Sequence, residues 1–320
     1  MRKISGFRII IVLIALNLVT SCTSDKSVQF IQNDHQIDIY LKGRFVTSYI
    51  YSEDLPKPVL YPVNSLSGTT ISRGFPMNEV EGESRDHPHH AGIWFACGEV
   101  NGIEFWENVE PPPQIRHVQI SDMECDREEG MLGVVLHWTG EDGKILLQEN
   151  RSMTFYPDEL HYGIDFKILL KAVDTTVTIH DTKEGLFAIR VADWLNEKDG
   201  TGRYLSSNGD ETETRVWGKR AEWVRLAGDK DGQKYGVIIM NHPQSVNYPT
   251  FWMARGYGLF SANPIGQYIY QTYHKVPDAK PLNLTIERGE SALFRFHLMV
   301  YEGEMNKEDI ESIYDRYIER

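Results

Sequence analysis

Leu160, Tyr162, Ile164, Phe166, Ile168 and Leu170 are apolar at every second position, with His161, Gly163, Asp165 and Lys167 between them. A period of two is the period of a β-strand, whose successive side chains point to opposite faces. This segment is therefore a strand with one face buried. The pattern recurs along the chain. Ile37, Ile39 and Leu41 alternate, Lys42-Gly43 turns, and Phe45 to Tyr51 continues, which describes a hairpin. Gly92 to Ala96, Val118 to Cys125, Met131 to Thr139, Lys144 to Phe155, Val173 to Ile179 and Leu186 to Trp194 are further strand candidates. Val237 to Asn241, Gly258 to Ser261 and Ser291 to Val300 complete the series. Many strands at short spacing, joined by turns, predict an all-β fold, here a large antiparallel β-sandwich. Only the end looks helical, over about 306–319: Asn306 caps, and Ile310, Ile313, Tyr314, Tyr317 and Ile318 form one apolar stripe.

The start has a separate logic. Arg2, Lys3 and Arg8 precede the apolar Ile9 to Leu16, followed by Val19-Thr20-Ser21-Cys22. That order of charge, short apolar core and small residues predicts a signal peptide over 1–21, too short to span a membrane. Its end resembles a bacterial lipobox, which implies cleavage before Cys22 and lipidation of its thiol. Thr23 follows, so the expected address is the outer membrane, with contact through the lipid anchor only. Residues 22–320 then form one domain of about 300 residues, long enough for a sizeable core. Loss of three leader cations takes the net charge from −13 to about −16. Such acidity argues against nucleic acid, whose phosphates need Lys and Arg. Cys97 and Cys125 can pair in an oxidising compartment, or Cys97 can be a buried free thiol.

The chemistry concentrates in a few places. Asp86, His87, Pro88, His89 and His90 stand directly before an apolar strand. A polar cluster there is either a solvated loop or a set of side chains presented to a ligand. In the strand from Lys144, Glu149 and Arg151 share a face with Ile145, Leu147, Met153 and Phe155. They either salt-bridge to neighbouring strands or line a polar cleft, because an unpaired buried charge costs several kcal/mol. His180 to Gly185 is a charged loop before a strand carrying Arg190. Finally, Asn241-His242-Pro243, Trp252, Arg255, Tyr257 and Asn263-Pro264 bring polar donors together with aromatic rings, a mixture suited to sugars or to packing beneath a loop.

These segments resemble a bacterial family labelled PmoA, or methane-oxygenase-like. The matching pieces are Arg73-Gly74-Phe75-Pro76, Asp86-His87-Pro88-His89-His90, Gly92-Ile93-Trp94-Phe95, Lys183-Glu184-Gly185 with Arg190, and the segment from Asn241 to Pro264. The resemblance implies a supersandwich like that of galactose mutarotase-like proteins, in a carbohydrate-use setting. It does not imply methane oxidation, which needs membrane-spanning helices that no segment beyond the leader supplies. The expected function is action on a carbohydrate or glycoside, mutarotase-like, epimerase-like, or as a lyase or hydrolase on an oxidised sugar. His89, His90 and Glu184 are the candidate acid–base groups. Arg73, Trp94, Arg190, His242, Trp252, Arg255 and Asn263 are candidate substrate contacts; His89, His90, Glu184, Arg190, His242, Trp252 and Arg255 are expected to converge on one concave surface. A glycan-binding lipoprotein without catalysis is the alternative. A divalent metal held by His87, His89 and a carboxylate is possible chemistry, although no HExxH or CxxC pattern demands a cofactor.

Overall fold

A computed structural model of the protein describes residues 27–320. The leader and Cys22 lie outside the described residues. The fold is an antiparallel β-sandwich. The first sheet has eight strands, in the spatial order Val28–Asn33, Gln36–Leu41, Arg44–Ile50, Val59–Tyr61, Ile93–Phe95, Phe187–Arg190, Leu259–Asn263 and Phe251–Ala254. The second also has eight: Arg203–Ser206, Trp223–Lys230, Gln233–Asn241, Ser291–Glu302, His161–Ala172, Ile145–Pro157, Gly130–Thr139 and Gln114–Cys125. Leu284–Ile286, Val177–Ile179, Glu99–Val100 and Ile103–Glu104 make a small third sheet.

The two large sheets face each other through aromatic pairs. Phe30 meets Phe155 at 5.8 Å between ring centroids, Phe95 meets Phe294 at 5.7 Å, and Phe187 stacks on Phe296 at 4.8 Å. Burying this apolar surface is the main stabilising term. The alternating residues of His161–Ala172 behave as their period requires: Tyr162, Ile164, Phe166, Ile168 and Leu170 are buried in the core. Lys42 and Gly43 both take positive φ, 49° and 74°, as a tight hairpin turn requires.

The C-terminal helix, Lys307–Ile318, covers the outer face of the second sheet. Its Asn306 side chain accepts from the Asp309 amide, and the Asp309 carboxylate accepts from the Asn306 N–H, a reciprocal capping box. Ile310, Tyr314 and Tyr317 bury against Trp223, Ile238, Met240, Met299 and Tyr301. Because the helix covers this face, Trp223–Lys230 buries both Trp223 and Val224 on opposite sides, which conceals the alternation that would have announced a strand.

Two short helices depart from the expectation that only the chain end is helical: Glu213–Val216 and Gln267–Tyr273. The second is completed from elsewhere. The Asp181 carboxylate accepts from the N–H groups of Tyr268 and Leu282, both at 2.9 Å, and so places negative charge at the positive helix start. The proposed Val173 to Ile179 strand shortens to Val177–Ile179. Cys97 is a buried free thiol and is not paired with Cys125. No helix among the described residues is long and apolar enough to cross a membrane.

Glu149 and Arg151 resolve the question posed by their strand. They pair with each other rather than with neighbouring strands, Arg151 Nε donating to Glu149 Oε1 at 2.6 Å. Trp138 donates its indole N–H to the other carboxylate oxygen at 2.8 Å. The group is sealed in the core and lines no cleft.

Candidate functional site

The histidine cluster is built around two buried guanidiniums. Arg73 follows the Asn64–Thr70 bridge region, and Arg190 ends the Phe187–Arg190 strand; both are fully buried. Asp86 binds both. Its Oδ1 accepts from Arg73 Nη1 at 2.5 Å and from Arg190 Nη2 at 2.8 Å, while Oδ2 lies 3.0 Å from His87 Nδ1. Burial works to raise the Asp86 pKa, but the Arg190 charge, His87 and Arg73 outweigh it and hold the carboxyl below its ordinary value. Arg190 is pushed down to about 10, first by burial and then by the Arg73 charge. Ser84 fixes the loop from below: its amide and hydroxyl both donate to the Asp193 carboxylate, at 2.6 and 2.9 Å.

Arg73 spends the rest of its fork on the backbone, donating to the carbonyls of Phe75, His87 and His90. This helps to hold His87 at a φ of 44°, a region that residues other than glycine seldom occupy. Arg73 is therefore a positioning residue rather than a substrate contact. Gly92 completes the turn into the strand. A Cβ there would lie 2.1 Å from the Leu60 carbonyl oxygen, so no side chain fits.

Four rings lie nearly parallel across this loop. Tyr257 stacks on His87 at 5.0 Å, His87 on His90 at 4.9 Å, and His90 on Trp94 at 5.2 Å. His89 meets His90 edge-on at 4.3 Å. His87 stands at the open side, with 40% of its side chain exposed, and its Nε2 has no hydrogen-bond partner among the described residues. His90 is sealed at 1% exposure, and burial, His89 and Arg190 hold it neutral. His89 is partly buried, and burial followed by the Lys57 charge pushes its pKa down to about 4. Among the described residues, no three His, Cys, Asp or Glu side chains converge as metal ligands.

A family model described as a family of unknown function, DUF6807, matches residues 36–315. The chain belongs to this family. No curated protein matches the chain. Among solved structures, this DUF6807 chain is similar to the galactosidase domain of alpha-galactosidase-sucrose kinase AgaSK, at 12% identity and a TM-score of 0.42. That match covers 88% of this chain and 41% of the other, so the chain spans about two fifths of its length. A galactose mutarotase-like protein from Clostridium acetobutylicum is similar at 9% identity and a TM-score of 0.36, covering 87% and 95% of the two chains. A putative aldose 1-epimerase from Escherichia coli K12 is similar at 11% identity and a TM-score of 0.33, covering 87% and 97%.

The DUF6807 site gathers only part of the candidate site residues. His89, His90, Arg73, Arg190 and Trp94 are together, although Trp94 is sealed between His90 and Trp106. Arg255 reaches the edge of the group, 5.9 Å over the Tyr257 ring, and pairs with Glu213 at 3.7 Å. Glu184 sits at the other end of the ladder. Arg190 N–H binds the Gly92 carbonyl, whereas the Glu184 carbonyl accepts from Gly98 N–H, six residues further along both segments. The Glu184 carboxylate pairs with Lys183. Trp252 is fully buried, with its indole N–H on the Ala221 carbonyl, and offers no face to a ligand. Asn263 is also buried: it binds the carbonyls of Thr182 and Lys183 and the amides of Ile265 and Gly266, which shapes the loop carrying Glu184. His242 belongs to the second sheet, against Arg295 and Tyr317.

Besides His87, expected only as a metal ligand, three contributors were absent from the expected site. Asp86 and Tyr257 stand inside segments that the sequence did single out, but their roles depend on partners far along the chain. Lys57 carries no sequence signal. Its buried ammonium donates to the carbonyls of Phe105 and Trp106 and to Asn108 Oδ1, fixing the turn that sets Trp106 against Trp94 and His90. Burial pushes its pKa down to about 7.

Proposed function

We propose that this protein acts on a carbohydrate or glycoside by acid–base chemistry, with His87 as the proton-transferring group and Asp86 as the carboxylate that orients it. The observation that carries the reading is the grip on Asp86: two buried arginines hold it ionised, and its second oxygen fixes the Nδ1 side of His87. An imidazole oriented in this way presents Nε2 to the open side, where it can take a proton from a sugar hydroxyl and return it. Tyr257, partly exposed beside it with the Arg190 guanidinium 4.5 Å over its ring, sets an aromatic edge next to polar groups, a combination that suits a ring with apolar C–H faces and hydroxyl edges. We further propose export and lipidation at Cys22, on the strength of the leader and its lipobox-like end.

The test compares the protein with His87→Gln and Asp86→Asn. Aldohexose anomerisation is followed by polarimetry, and cleavage of aryl glycosides and unsaturated-sugar formation by absorbance. Loss of an acid–base group lowers turnover about 10²–10⁴-fold, with sugar binding by calorimetry retained. Sugar binding with no turnover in the unaltered protein would instead make it a glycan-binding lipoprotein. For the anchor, Cys22→Ala releases the protein from membranes; unchanged membrane association would end that part of the proposal.

A further inference from the structure

Beside the His87 loop lies a separate recess of about 310 Å³, lined among others by Tyr61, Thr70, Asn78, Glu83, Trp194 and Lys230. Its relation to the site is set by three chain segments. Arg73, Ser84 and Asp193 belong to the hydrogen-bonded frame of Asp86 and His87. Gly74, Glu83 and Trp194, their immediate neighbours in sequence, line the recess. Consecutive Cα atoms are about 3.8 Å apart, so the two share their walls. We infer that this recess is a second carbohydrate position, and that the protein takes a substrate of at least two sugar units, one at each position.

The chemistry of the recess supports a neutral sugar ring, and this assignment rests on the acid–base reading of the His87 site. The volume is at the lower end for ligand pockets, about the size of one ring. Trp194 is partly exposed and held in place: its indole N–H donates to the Thr70 carbonyl at 3.1 Å, and Tyr235 meets the ring edge-on at 5.7 Å. A fixed, half-open indole is a platform for the C–H face of a sugar. Around it stand groups that bind hydroxyls. Asn78 is exposed; its backbone N–H donates to the Gly74 carbonyl, and its side-chain amide has no partner among the described residues. Glu83 accepts from the Gly74 amide through Oε2 at 2.7 Å, and its Oε1 has no hydrogen bond among the described residues. Lys230 lies 5.3 Å over the Trp194 ring, on a flexible stem that can move to the rim. One cation and one carboxylate balance, so the recess selects for neither an anion nor a cation. Neither the His87 chemistry nor the sandwich core needs an exposed tryptophan here.

Calorimetric titration with glucose and galactose, and with maltose, melibiose, cellobiose and lactose, tests the inference. At least one disaccharide binds more tightly than either hexose. Trp194→Ala weakens that disaccharide about tenfold or more, as loss of a buried aromatic contact does, and leaves hexose binding unchanged. Asn78→Ala, an exposed substitution that leaves folding intact, weakens it several-fold. If no disaccharide binds better than the hexoses, or if both variants bind it as the unaltered protein does, the second position is refuted. Failure of the acid–base reading shows separately, as unchanged turnover in His87→Gln, and leaves the Trp194 dependence of disaccharide binding intact.

Discussion

Replacing Glu149 by Gln keeps the shape of the side chain and removes its charge. Glu149 is fully buried and Arg151 is 5% exposed, so the guanidinium would be left in the core without a counter-charge. The amide has one acceptor oxygen for two donors, Arg151 Nε and the Trp138 indole N–H, which now bind separate carboxylate oxygens. Breaking a buried pair from one side costs about 3–5 kcal/mol. At about 2–4 °C per kcal/mol for a domain of this class, the melting temperature falls by roughly 6–20 °C. Differential scanning calorimetry and urea unfolding at pH 7 measure both quantities. Glu149→Met combined with Arg151→Leu removes both charges and returns most of the loss, since apolar replacements of similar volume are often neutral or better. A Glu149→Gln loss below about 1 kcal/mol, or a double variant no more stable than the single one, would refute the reasoning.

Other outcomes follow from the same geometry. His89 is held neutral, with its pKa pushed down to about 4 against about 6.5 in the unfolded chain. The unfolded state therefore binds the proton first, and the stability His89 contributes above pH 6.5 is lost as pH falls towards 4; His89→Gln flattens that part of a urea-midpoint profile. Asn306→Ala removes the acceptor for the Asp309 amide and costs about 1 kcal/mol, read by denaturant unfolding. Gly92→Ala places a methyl 2.1 Å from the Leu60 carbonyl oxygen and yields insoluble or strongly destabilised protein, whereas Gly102→Ala, with open space around its Cβ position, stays folded by circular dichroism.

The amino-acid sequence by itself determined the fold class and the chain end. A period of two over Tyr162 to Leu170, turn residues such as Lys42-Gly43, and a capped apolar stripe after Asn306 are local signals, and local geometry obeys them, although Leu160, first in the alternation, stands exposed before the strand. It also marked segments that meet at the candidate site, because Asp86 to His90 and Arg190 put charge and imidazole where strands begin or end. Which of those segments meet was a tertiary decision. Arg190 reaches Asp86 because its strand pairs beside Ile93–Phe95 in register, and the same register carries Glu184 to the far end of the ladder. Trp252 and Asn263 have the composition of a sugar site but lie buried, since a residue type does not state which face of a sheet the other layer covers. The short helix Gln267–Tyr273 carries no local start signal for a related reason: the carboxylate at its start comes from Asp181, more than eighty residues earlier. Periodicity along the chain records only which side chains share a face; contacts between distant segments depend on the register and packing of whole sheets, and these exist only once the sandwich has closed.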